Sequence, residues 1–192
     1  MQSFKKILLL VFIVSIFGCG ETYTPKPRGY FRIDFPEKNY VVFEGNYPYS
    51  FEIPVYGELV ADTHPLAEPF WSNLVFEQFS AKLHLSYKKL EGNDHLARLA
   101  EDSRTFAFKH VPKATAIYDE IISHPSKKAY GIFYEIKGRE AASPLQFFVT
   151  DSTRHFLRGA LYFNVAPNND SLAPVIQFLA EDIRHLISTI KW

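Results

Sequence analysis

Cysteine is almost missing: Cys19 is the only one in 192 residues. A disulfide needs a pair and a structural zinc site needs several thiolates or imidazoles, so the fold must rest on its core. Charge of one sign is not in excess either. The chain has 21 Lys and Arg against 21 Asp and Glu, with no basic block, which argues against a nucleic-acid partner. No apolar run reaches the roughly 20 residues of a membrane-crossing helix. Seven histidines are present, none in an H-E-x-x-H or H-x-H pattern. G-x-S-x-G elbows, glycine-rich phosphate loops and D-x-D-x-D-G calcium loops are also missing. Ser143-Pro144 and Asp151-Ser152-Thr153 read as turn formers. No catalytic residue, metal or cofactor is expected, and no small-molecule substrate is evident. An active site assembled from distant residues would leave no motif, so an unrecognised hydrolase stays open as an alternative.

What is present begins with a leader. Lys5 and Lys6 precede an apolar stretch over residues 7 to 17, the pattern of a signal peptide. It ends at Ile16-Phe17-Gly18-Cys19, which resembles a bacterial lipobox, with Phe17 bulkier than usual. Residues 1–18 are therefore expected to be removed, and Cys19 to carry acyl chains, palmitate among them. Several chains hold a protein on a membrane where one does not. Losing Lys5 and Lys6 makes the mature chain slightly acidic, and it keeps no second thiol for an oxidising compartment.

Residues 19–29 form a short tether. Pro25 and Pro27 fix their own φ and press Thr24 and Lys26 toward extended geometry. Arg28, Tyr30, Phe31, Arg32 and Phe35 follow, the residue types that protein interfaces enrich. This arm is either a strand packed on its own domain or a hook offered to a partner.

Residues 30–192 read as one α+β domain. Aromatics make up 16% of the chain, with 18 Phe and 11 Tyr, which suits a β-rich fold. Strands are expected at 40–43, at 49–55 with Pro54 marking an edge, at 71–79 and across Leu83, Leu85 and Tyr87. Residues 57–70, with Pro65 and Pro69, read as a loop. A helix is expected from an Asn93 cap to Pro112, with Leu96, Leu99, Ala100, Ser103, Phe106, Ala107 and His110 on one stripe. Hairpins follow at 116–123 with 128–137 and at 145–150 with 154–164. A last helix starts near Ser171. It carries Leu172, Val175, Ile176, Leu179, Ile183, Leu186, Ile187 and Ile190 on one side, and Gln177, Glu181, Arg184, His185 and Ser188 on the other. Glu181 and His185 read as a surface ion pair.

The expectation is an antiparallel sheet of about six to seven strands covered by two amphipathic helices. This order resembles the PsbP/Mog1 sandwich. Tyr130, Phe133, Tyr134, Phe147, Phe148, Phe156 and Tyr162 exceed what one helix can cover. Either the second helix covers the second face, or an aromatic patch awaits a ligand or a secreted chain.

The lipobox cysteine is followed by Tyr23-Thr24-Pro25-Lys26-Pro27-Arg28-Gly29-Tyr30-Phe31-Arg32-Ile33-Asp34, then by Pro36-Glu37-Lys38 and Tyr40. With Phe51-Glu52-Ile53-Pro54 and Tyr56, this resembles the gliding-motility lipoprotein GldD family of the Bacteroidetes. The resemblance implies a cell-envelope lipoprotein needed for gliding, acting beside the machinery that also serves type IX secretion. It implies no enzyme. A periplasm-facing location follows, with the outer membrane preferred over the inner because Gly20-Glu21-Thr22-Tyr23-Thr24 has no Asp after the cysteine.

Overall fold

A computed structural model describes residues 32–43 and 45–192. The signal peptide, Cys19, the tether at 19–29 and the arm residues Arg28, Tyr30 and Phe31 lie outside the described residues. The compact unit runs from Asp34 to Trp192.

Nine strands and two long helices build it. Strands β1 (Tyr40–Val42) and β2 (Glu52–Pro54) pair antiparallel as a small separate sheet. The main sheet holds β3 (Glu58–Ala61), β4 (Ser72–Phe76), β5 (Ala81–Lys89), β6 (Ala116–His124), β7 (Ala129–Lys137), β8 (Leu145–Thr150) and β9 (His155–Phe163). Its order is β3-β4-β5-β9-β8-β7-β6, every pair antiparallel. Helix α1 (Asn93–Phe108) carries the chain from β5 to the far edge strand β6, and α2 (Asn169–Thr189) closes the chain. The class is α+β, an antiparallel sheet between two helices.

The period of two decides which helix covers which face. Leu83, Leu85 and Tyr87 point to the α2 side. They join Leu74, Phe76, Phe147, Leu157 and Leu161 against Val175, Leu179, Ile183 and Leu186. Tyr49, Phe51 and Ile53 from the segment around β2 complete that core. Gly159 lies directly opposite Phe147 across β8 and β9. A Cβ there would come within 2.1 Å of the Phe147 ring, so the glycine is what lets the ring lie over the strand. On the other face, Tyr134, Ile136, Phe148 and Phe156 pack with Ala107, Leu96 and Leu99 of α1.

Several expectations need correction. Residues 57–70 are not all loop, because Glu58–Ala61 forms edge strand β3. The strand expected to reach Phe79 stops at Phe76 and passes into a 3₁₀ turn over Glu77–Phe79. Only Glu52–Pro54 of the 49–55 segment joins a ladder, although the inward alternation of Tyr49, Phe51 and Ile53 holds. Neither helix uses its expected cap. Gly92 precedes α1 and Asn168 precedes α2, with no side-chain capping bond at either. Asn169 instead donates from Nδ2 to the Gly138 and Ala141 carbonyls, both at 2.8 Å, tying the start of α2 to the β7–β8 loop.

The last residues are stitched to the segment before β2 and to the main sheet. Ser50 and Lys191 exchange two backbone hydrogen bonds of 2.8 Å. Trp192 donates from Nε1 to the Lys128 carbonyl and stacks on His155. No described helix is long and apolar enough to cross a membrane.

Candidate functional site

Helix α2 turns 100° per residue, so Phe178, Asp182, His185 and Thr189 form one stripe beside its apolar face. The N-terminal segment lies along this stripe, residue by residue. Phe35 stacks on Phe178 with centroids 4.4 Å apart and meets Phe79 at 5.9 Å. Lys38 Nζ sits 3.4 Å above the Phe178 ring. The same ammonium donates to the Phe178 carbonyl at 2.6 Å and to Asp182 Oδ1 at 2.7 Å. Tyr40 donates to that oxygen at 2.9 Å while its ring stacks on His185 at 3.6 Å. From the far side, Tyr56 donates to Asp182 Oδ2 at 2.6 Å. Glu52 completes the line: its Oε2 lies 2.6 Å from His185 Nε2, and its backbone N–H donates to Thr189 Oγ1.

Asp182 is only 1% exposed. A carboxylate so buried is costly unless its lone pairs are filled, and here one ammonium and two phenols fill them. The phenols respond in turn. Burial, and then the hydrogen bond to Asp182, push the Tyr40 and Tyr56 hydroxyls far above the usual tyrosine range. Both therefore stay protonated as donors. Chemically the arrangement is a fastener, with each polar group committed to another. Beside it a cleft of about 520 Å³ opens between α2 and edge strand β6, lined in part by Tyr40, His185, Arg184 and Ile121.

Two sequence expectations change here. Glu181 and His185 do not pair with each other: His185 reaches Glu52, and Glu181 approaches Lys38 at 3.9 Å. Phe35, grouped with the arm's candidate contact residues, is half-buried on its own domain. The aromatic sheet residues are also mostly committed. Phe133 and Phe147 belong to the α2-side core, and Tyr134, Phe148 and Phe156 to the α1-side core. Tyr130 stays exposed. Among the described residues no three His, Asp or Glu gather as a metal site.

Asp182 escaped the sequence reading, yet a signal was there. It lies three residues after Leu179 and four before Leu186, at the edge of the apolar stripe, where a buried carboxylate needs partners.

Residues 20–192 match the family model described as Gliding motility lipoprotein GldD. No curated protein matches the chain. Among solved structures, similarity is found to the solution structure of cyanobacterial PsbP (CyanoP) from Synechocystis sp. PCC 6803. Identity is 10% and the TM-score 0.45, over 88% of this chain and 97% of that one.

Proposed function

The chain belongs to the gliding motility lipoprotein GldD family, and from that premise we propose that it is a non-enzymatic, lipid-anchored envelope component that works by docking on other proteins. Acyl chains on Cys19 hold it to a membrane, facing the periplasm, with the inner leaflet of the outer membrane preferred. Its partners are other envelope proteins of the gliding and type IX secretion machinery.

One observation carries this reading. Lys38, Tyr40, Glu52 and Tyr56, residues on which the family resemblance rests, converge on Asp182, His185 and Thr189 of the last helix. They are occupied with one another, which suits holding a segment in place better than turning over a substrate. What they hold is the base of the arm. Phe35, seated on Phe178, is its domain-side anchor, and the partner is met by the arm's Arg28, Tyr30, Phe31 and Arg32, whose residue types protein interfaces enrich.

The double variant Arg28→Ala with Arg32→Ala tests this. We expect unchanged thermal unfolding of the domain and loss of colony spreading, with in-cell crosslinks from position 30 or 31 disappearing. Normal spreading with those crosslinks intact would remove the arm from the interface.

A further inference from the structure

A second cleft lies on the opposite face of the sheet. Helix α1 packs over β7 and β8 but leaves β4, β5 and part of β9 uncovered. The α1-side residues of β5 are Lys82, His84, Ser86 and Lys88, a polar row that no helix covers. The resulting space of about 640 Å³ has Arg158, His84 and Tyr162 on its floor and Phe106 and Asp102 on its helical wall. Trp71 and Asp62 stand at its rim.

Arg158 is the unusual group. Its Nη2 donates to Gln146 Oε1 at 2.6 Å, and its Cζ lies 4.8 Å over the Phe106 ring. Among the described residues no carboxylate oxygen comes within 4.0 Å of it, whereas Arg104 and Arg184 each have one. Burial holds its guanidinium below the ordinary arginine value. A desolvated cation without a counter-charge is a costly arrangement to keep. Gln146 and Phe106 restrain the plane of the fork while leaving further N–H donors for a guest.

A second orphan sits on the same face. Asn73 is the direct cross-strand partner of His84, so both side chains leave the sheet on the cleft side. Asn73 is 6% exposed, and its Oδ1 has no hydrogen-bond partner among the described residues. Buried acceptors rarely go unmet. Asn73 stands outside the cleft lining, so the guest is set by Arg158: its remaining N–H donors, on the floor of an aromatic-lined cleft, are complementary to a small molecule with an anionic group.

We propose that this cleft binds a small monocarboxylate carried on a ring, its carboxylate on the Arg158 fork and its ring between Trp71, Phe106 and Tyr162. The charge of the guest follows from the rim. Lys88 also lines the cleft but is paired with Glu68, whereas Asp62 and Asp102 add negative charge there, so a phosphate dianion meets more repulsion than a monoanion while gaining the same guanidinium. The site is independent of the arm, and its ligand is additional to any docking partner.

Cyclohexanecarboxylate is a suitable probe, with cyclohexanecarboxamide as the neutral isostere and inorganic phosphate as the dianion. Trp71 and Trp192 are the only indoles in the chain, so Trp192→Phe leaves Trp71 as a fluorescent reporter at the rim. In the detergent-solubilised full chain we expect a saturable change with the carboxylate. Binding should weaken at least tenfold for the carboxamide, for phosphate, and for the carboxylate on Arg158→Gln. Arg158→Lys keeps the charge and one donor for Gln146 but loses the fork. It should bind with intermediate affinity, and it serves if the glutamine variant does not fold. No saturable response, equal response to the carboxamide, tighter phosphate binding, or unchanged affinity in both Arg158 variants would each overturn the proposal.

Discussion

With Thr150, whose hydroxyl donates to the His155 carbonyl and accepts the Ser152 N–H, Asp151 ties the β8–β9 turn together. Its Oδ1 accepts the backbone N–H groups of Thr153, Arg154 and His155, and its Oδ2 accepts the Thr153 hydroxyl at 2.6 Å. Partial burial disfavours the charge, but the Thr153 hydroxyl and the three N–H donors outweigh it and bring the carboxyl down to about 2. The folded value lies below the unfolded one, so the stabilisation is complete above about pH 4 and is lost as pH falls through about 2. Asp151→Asn keeps an acceptor but cannot ionise. The wild type should exceed it by about 1 kcal/mol at pH 6, a modest figure because the turn is partly solvated. In urea unfolding that gap should close between pH 4 and pH 2. A gap that stays constant across this range would show that the charge contributes nothing.

Elements differ in how legible they are from sequence. Strand β5 was plain because Leu83, Leu85 and Tyr87 alternate with polar residues, and α2 because its apolar stripe runs for five turns. Strand β3 was hidden: Glu58-Leu59-Val60-Ala61 is short, lies at an edge and is followed by prolines at 65 and 69. The caps misled because Asn93 and Ser171 are good capping types, while the start of α2 is fixed by the tertiary bonds of Asn169 and α1 follows Gly92 with no side-chain cap. The fastener was half legible. Lys38, Tyr40 and Tyr56 stand out as family residues, but periodicity assigns a residue to a face and says nothing of a partner 140 or so positions away. Asp182→Ala removes that partner for three donors at once. We expect a loss of about 3 kcal/mol in urea unfolding, with proteolytic cutting between residues 34 and 40 appearing before global unfolding. Unchanged stability with a protected segment would show that Asp182 does not fasten it.

At the scale of the whole molecule, the fold and the anchor are separable. The compact unit contains no cysteine, since the chain's one thiol is Cys19. Cys19→Ser should therefore leave the unfolding temperature within about 2 °C, inside the usual range for a remote surface change. It should also move the protein from the membrane to the soluble fraction and abolish spreading. Retention on membranes at the leader-cleaved length, with normal spreading, would refute the lipid anchor.

The contacts of Phe35, Lys38 and Tyr40 with α2 also define a load path. Traction entering through Asp34 reaches a ring stack, an ammonium and a phenol, all seated on one helix, before it reaches any strand of the main sheet. If the proposed arm carries load, these contacts on α2 take it first, ahead of the strands of the main sheet.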